Sequence, residues 1–123
     1  MNLTDPLTVV GIVLAGGAGS IARLVIGGVL QRGPSVVFPI GTFVINVTGA
    51  FLLGLLAGAA GVSLGASAMA VIGIGFLGGY TTFSTASVES ADLLQKRQTS
   101  TAVLYSLGTG VCAMMAALVG ISI

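Results

Sequence analysis

The sequence predicts an all-α membrane protein of four transmembrane helices, the third broken near its middle. Three observations carry that expectation. Charged residues make up 6% of the 123 residues and hydrophobic residues 55%, against about 25% charged in a soluble domain. Four apolar stretches each reach the roughly 20 residues that a helix needs to cross a bilayer. The third stretch is interrupted by Gly78-Gly79-Tyr80-Thr81-Thr82-Phe83-Ser84-Thr85. In lipid, irregular backbone persists only where protein or a water-filled path satisfies its polar groups.

The spans are expected at about 7–30, 38–60, 66–91 and 99–121, in one domain covering residues 1–123. In the first span Gly11, Ala15 and Gly19 recur at i, i+4, with Arg23 next in the row. No Lys or Arg precedes it, and Asp5 stands where a basic leader region belongs, so it does not read as a cleaved signal peptide. In the second span Thr42, Asn46, Ala50, Gly54 and Gly58 form one i, i+4 stripe. Such faces let membrane helices approach closely, whatever the protein does. The fourth span holds Cys112, the single cysteine; it cannot form an intrachain disulfide and is expected to pack. The connections are short: Gln31 to Val37, Gly61 to Gly65 and Asp92 to Gln98.

Four spans put both termini on one side. Arg23, Arg32, Lys96 and Arg97 all fall at the end holding loops one and three, and the termini and loop two carry no Lys or Arg. The positive-inside rule therefore places those two loops in the cytoplasm and the termini outside, in a cell membrane.

Several classes are excluded. Gly17-x-Gly19-x-x-Ala22 and Gly73-x-Gly75-x-x-Gly78 imitate a dinucleotide fingerprint. That fingerprint needs a βαβ unit and a carboxylate about 20 residues on. No acid occurs between Asp5 and Glu89, and Glu89 and Asp92 lie too near the second motif. The chain has no His, hence no His base or His-ligated metal, and no nucleophile–base pair, so it does not read as an enzyme. Four basic residues at membrane edges form no patch for nucleic acid. A four-helix chain also has no three-plus-three inverted repeat, so any two-fold construction needs a second chain.

The polar residues inside the spans are the candidates for function. Asn46 offers two donors and one acceptor, with Thr42 one turn earlier on the same face. Interhelical glue and function are both open to that pair. In the third span Thr81, Thr82, Ser84 and Thr85 surround Phe83. A break after Gly78-Gly79 frees carbonyls that could hold a cation and amides that could face an anion. In the fourth span Tyr105 and Thr109 share a face, with Thr101 a turn before. These donors are neutral, and a phenyl edge is electropositive. Proton-coupled pumps carry a membrane acid or His, and only Glu89 could serve here. The set favours passive movement of a small anion that accepts hydrogen bonds.

Three motifs together resemble the Fluc (CrcB-type) fluoride channels, across essentially the whole chain. They are the glycine-rich Gly16-Gly17-Ala18-Gly19-Ser20-Ile21-Ala22-Arg23, the second-helix Gly41-Thr42-Phe43-Val44-Ile45-Asn46-Val47-Thr48-Gly49, and the broken Gly75-Phe76-Leu77-Gly78-Gly79-Tyr80-Thr81-Thr82-Phe83-Ser84-Thr85. The resemblance implies an antiparallel dimer with two fluoride pores that export toxic cytoplasmic fluoride. It implies a structural sodium ion held by the backbone carbonyls of Gly78 and Thr81. By matching positions, Asn46 and Thr42 line the pore, Phe83 presents its ring edge, and Ser84 and Thr85 supply hydroxyls. Tyr105 and Thr109 continue a polar track, and Arg23 draws fluoride to the mouth.

Two positions depart from that family's pattern. Ala86 stands where a second phenylalanine is usual, and Ala113 where a further hydroxyl is expected. Each pore is thought to take phenylalanines from both subunits, so a homodimer of this chain would lack half of each aromatic box. The four-to-zero charge bias also favours a single orientation. The expected partner is therefore a second copy or a homologous, oppositely inserted chain. The alternatives are a non-conducting or half-pore subunit of a heterodimer and, against the absence of a first-span carboxylate, a small multidrug exporter.

Overall fold

The computed structural model describes residues 5–31 and 38–123. Loop one from Arg32 to Val37 lies outside the described residues. Four helical spans of high mean hydropathy run Pro6–Leu30, Ile40–Ala57, Ala66–Gln95 and Thr99–Ser122, each long enough to cross a membrane. The chain is a multi-pass membrane protein.

Helix α1 (Pro6–Leu30) starts with proline in its first turn, where the missing N–H removes no helix bond. Helix α2 (Ile40–Ala57) begins at Ile40, two residues after the expected start, because Pro39 occupies the N-cap. Its first turn is fastened by the Gln31 side chain, which donates Nε2 to the Phe38 carbonyl (3.2 Å) and accepts the Gly41 N–H (2.9 Å). It stops at Ala57, where Gly58 turns extended (φ −92°, ψ −158°). The short helix α3 (Ala59–Val62) follows. Part of what the sequence assigned to the second span is thus a separate turn.

The third span has four parts. Helix α4 (Ala66–Met69) leads into a π-helix over Ala70–Leu77, then α5 (Gly78–Tyr80). The chain is extended at Thr81 (φ −79°, ψ 154°) and resumes as α6 (Ser84–Gln95). The break therefore lies at Thr81–Phe83, beginning two residues after Gly79, and Gly78 and Gly79 are themselves helical. Helix α6 also runs to Gln95 rather than ending at Ala91. Arg97 takes a left-handed conformation (φ 59°). Gln98 N–H reaches the Leu93 carbonyl and Arg97 N–H the Leu94 carbonyl, closing a Schellman end. Helix α7 (Thr99–Ser122) completes the bundle.

Small residues decide which helices touch. Helix α2 packs along α7, and α1 packs along the π-helix and α5. A Cβ on Gly19 would enter the Phe76 carbonyl, and one on Gly79 the Gly16 carbonyl. Between α2 and α7, Gly54 lies on the Ala117 backbone and Gly120 on the Phe51 carbonyl. The stripes read from the sequence are therefore backbone-to-backbone seams. Two apolar clusters flank them: Ile45, Leu77 and Tyr80 on one side, and Leu93, Ala102 and Tyr105 on the other.

Much apolar surface stays uncovered. The accessible area is 7259 Å², against about 6,000 Å² expected of a compact soluble chain this size. Leu14, Leu24, Leu104 and Met114 are exposed, as lipid-facing side chains are. Cys112 is exposed on α7 and does not pack within the chain as the sequence reading expected.

Candidate functional site

The third-span break faces a groove of about 790 Å³ between α2, α6 and α7. Of the residues singled out in the sequence, it gathers Asn46, Gly78, Thr81, Phe83, Tyr105 and Thr109, together with Ala86 and Ala113. Thr42, Ser84, Thr85 and Arg23 are not among its lining residues. No lining residue is charged.

Asn46 is positioned by one turn of α2 beyond Thr42 and reaches across to the break. Its Nδ2 donates to the Thr82 carbonyl (2.9 Å), and its Oδ1 accepts the Thr82 N–H (2.8 Å). One carboxamide thus takes the place of a peptide partner for both polar groups of Thr82. An unpaired peptide group away from water costs roughly 1–3 kcal/mol, so this pair makes the break tolerable in lipid. The glue reading of Asn46 leaves a donor over: a primary amide carries two N–H groups, and only one is committed here.

The Thr82 hydroxyl completes the turn. It accepts the Thr85 N–H (3.1 Å) at the start of α6 and donates to Thr85 Oγ1 (3.2 Å). Ser84 Oγ lies 3.3 Å from it. The capping hydroxyl comes one residue before the helix N-cap, Phe83. Thr81 Oγ1 folds back to the Leu77 carbonyl (2.9 Å). Among the described residues, no amide donates to the Gly78 or Thr81 carbonyl. Two free carbonyl oxygens at one break suit a hard cation such as sodium, which takes neutral oxygen ligands.

Phe83 is 87% exposed. A phenyl ring at the break, touched by so little of its own chain, is available to whatever enters or covers the groove. Ala86 is half-buried and packs beside Leu93, Ala102 and Tyr105. No second ring fills that turn.

Tyr105 is fully buried, not an interfacial anchor. Its ring meets Phe38 edge to face, 5.4 Å between centroids at 89°. Its hydroxyl donates to Glu89 Oε1 at 3.0 Å, and buried Thr42 stands against the same hydroxyl. The sequence placed Glu89 near the span's end; α6 and α7 pair it with Tyr105 because both residues face the same seam. Thr109, one turn on, is buried, and its Oγ1 has no partner among the described residues. A hydroxyl in that state is a donor in waiting.

Arg23 lies on α1, half-buried, with Nε buried and unpaired among the described residues. Beside it Ala22 packs against the Ile45–Leu77–Tyr80 cluster. The structure keeps Arg23 apart from the groove.

Two features escaped the sequence reading. Thr48 Oγ1 and the Tyr80 hydroxyl lie 3.0 Å apart, tying α2 to α5. Ser90 Oγ and Ser106 Oγ lie 2.8 Å apart across α6 and α7, both in the groove lining. Each serine also bonds its own i−4 carbonyl; that local bond is what made it unremarkable in an apolar helix.

Comparison with known proteins bears on the same residues. The sequence profile described as CrcB-like protein, Camphor Resistance (CrcB), matches residues 10–121. A protein of Leifsonia xyli named fluoride-specific ion channel FluC 1 is 49% identical over 117 residues, covering 94% of this chain and 85% of that one. The fluoride-specific ion channel FluC of Novosphingobium aromaticivorans is 40% identical over 115 residues, covering 91% of each chain. FluC 2 of Cutibacterium acnes is 40% identical over 119 residues, covering 95% of this chain and 97% of that one. The profile spans all four membrane helices and the broken third one, and this chain belongs to the CrcB-like family.

Proposed function

We propose that this chain is a pore-forming subunit of a passive fluoride channel that releases cytoplasmic fluoride across the cell membrane. The groove at the third-span break carries that reading. Its lining is uncharged, it holds an exposed phenyl ring, and its polar groups are neutral donors. Such a lining lets a small anion exchange water for hydrogen bonds without trapping it at a fixed cation. Asn46 keeps one N–H for the anion while its other atoms hold the break open. Phe83 offers its electropositive edge. Thr109, with Tyr105 behind it, extends the donors along α7. Ser84 and Thr85 supply hydroxyls at the start of α6, and Thr42 steadies Tyr105. Arg23, away from the groove, raises the local anion concentration at a pore mouth. No step makes or breaks a covalent bond, so the protein is not an enzyme.

The carbonyls of Gly78 and Thr81 would hold a structural sodium ion, shared with the same carbonyls of an antiparallel partner; that ion would fix the two breaks against each other. The partner covers the open groove, and loops one and three face the cytoplasm by the charge rule. Fluoride efflux from liposomes, read with a fluoride electrode, tests the function: fluoride leaves, chloride stays, and removing sodium stops the flux. Chloride leaving as fast as fluoride sinks the reading.

A second reading concerns the partner. Ala86 and Ala113 leave the aromatic and hydroxyl patterns incomplete, and all four basic residues favour one orientation. Both favour a half-pore subunit completed by a homologous chain inserted the other way. Liposomes holding this chain alone decide the matter, since full flux without a partner removes the requirement for one.

A further inference from the structure

We propose that Ser90 and Ser106 form an additional fluoride-coordinating rung in the groove, one that replaces the donors absent at Ala86 and Ala113. The inference rests on the channel reading above and adds residues that the family motifs do not contain.

The geometry supports it in three ways. First, the pair is placed where donors run out. Ser90 lies one turn after Ala86 on α6. Ser106, Gly110 and Ala113 follow at i, i+4, i+7 on one face of α7, and all of them line the groove. Second, two other groove donors are committed, the Tyr105 hydroxyl to Glu89 and Asn46 to the Thr82 peptide except for one N–H, so that the free Thr109 hydroxyl, three residues on from Ser106, has few donors beside it. Third, the serine protons are free to move. Ser90 Oγ lies 2.8 Å from both the Ala86 carbonyl and Ser106 Oγ, and Ser106 Oγ lies 2.8 Å from the Ala102 carbonyl. Only one proton can lie between the two oxygens. Each carbonyl sits inside a helix and has a backbone donor as well. Both hydroxyls can therefore rotate toward an anion without leaving a buried carbonyl unpaired. Two hydroxyls at that spacing present a two-pronged donor to one small anion.

Fluoride efflux from liposomes holding the assembled channel tests this, with this chain alone or with its homologous partner as assembly requires. Ser90→Ala with Ser106→Ala slows efflux about tenfold, as loss of hydrogen bonds to an ion does. Ser90→Thr with Ser106→Thr keeps the hydroxyls and stays within about twofold of the parent. Size-exclusion elution and the thermal midpoint stay unchanged in both. Parent-like efflux from the double alanine variant overturns the proposal and leaves the channel reading intact. So does slowed efflux that tracks loss of assembly, because the pair is then only helix glue. A parent protein that passes no fluoride overturns the channel reading first, and this one with it.

Discussion

The two faces of the third span are built on opposite terms. Toward α1, the π-helix and α5 press backbone onto backbone through glycines, with Gly19 on Phe76 and Gly79 on Gly16. Toward the groove, the same span opens at Thr81–Phe83 and shows hydroxyls, free carbonyls and an exposed ring. One face holds by excluding every added atom, and the other works by leaving room. The closed seam lets the open face be open: a break with few contacts of its own stays in place because the helix before it cannot slide.

That contrast can be broken from the closed side first. Gly79→Leu drives a side chain into the Gly16 backbone; overpacking of this kind destabilises by more than about 3 kcal/mol where backbone cannot yield. The expected result is loss of the folded protein on size exclusion and of all flux. Next is Asn46→Ala, which strips both partners from the Thr82 peptide and destabilises by about 2–4 kcal/mol. It lowers the thermal midpoint and abolishes fluoride efflux together. Tyr105→Phe removes only the hydroxyl that satisfies Glu89, for about 1–3 kcal/mol, and reduces flux more than it reduces assembly.

Changes confined to the open side separate function from stability. Phe83→Ala leaves the stability of the chain within about 0.5 kcal/mol of the parent and its thermal midpoint nearly unmoved, since the ring is uncovered in the chain, yet it cuts fluoride efflux. Smallest of all is Arg97→Gly, which relieves a left-handed residue and stabilises by about 0.5–1 kcal/mol. It also removes one of the four basic residues from which the orientation was read. A cysteine-accessibility assay on the α6–α7 turn reads that second effect as a shift toward mixed insertion.

The same contrast explains what could be read from the sequence. The four spans, the small-residue seams and the existence of a break were legible, because each is a matter of local composition. Asn46 was legible as important, but not as the partner of Thr82, since that pairing joins residues 36 apart. The break was expected within Gly78–Thr85, after the glycine pair, and it falls there; both glycines are helical, Gly79 serving the approach to α1, and the extended residue is Thr81, whose neighbour has a carboxamide waiting for it. The π-helix left no signal: Ala70–Leu77 is apolar all round, and periodicity cannot be read where every face is alike. Arg23 fell in line with the small-residue row of α1 but not with the groove, which is assembled from the other three spans.

The wide helix at Ala70–Leu77 has a consequence of its own. A turn closed by i→i+5 bonds accommodates an extra residue, so over this stretch the chain lags an α-helix by about 100° of azimuth. The turn that follows, Gly78–Tyr80, inherits that phase up to the break. Gly79, two residues beyond the stretch, meets the Gly16 backbone of α1 in that phase. Deleting one residue within the stretch would let it relax to an ordinary helix and turn the Gly78–Tyr80 turn that leads into the break about its axis. The composition would be almost unchanged, and the face that seals would no longer be where its neighbour needs it.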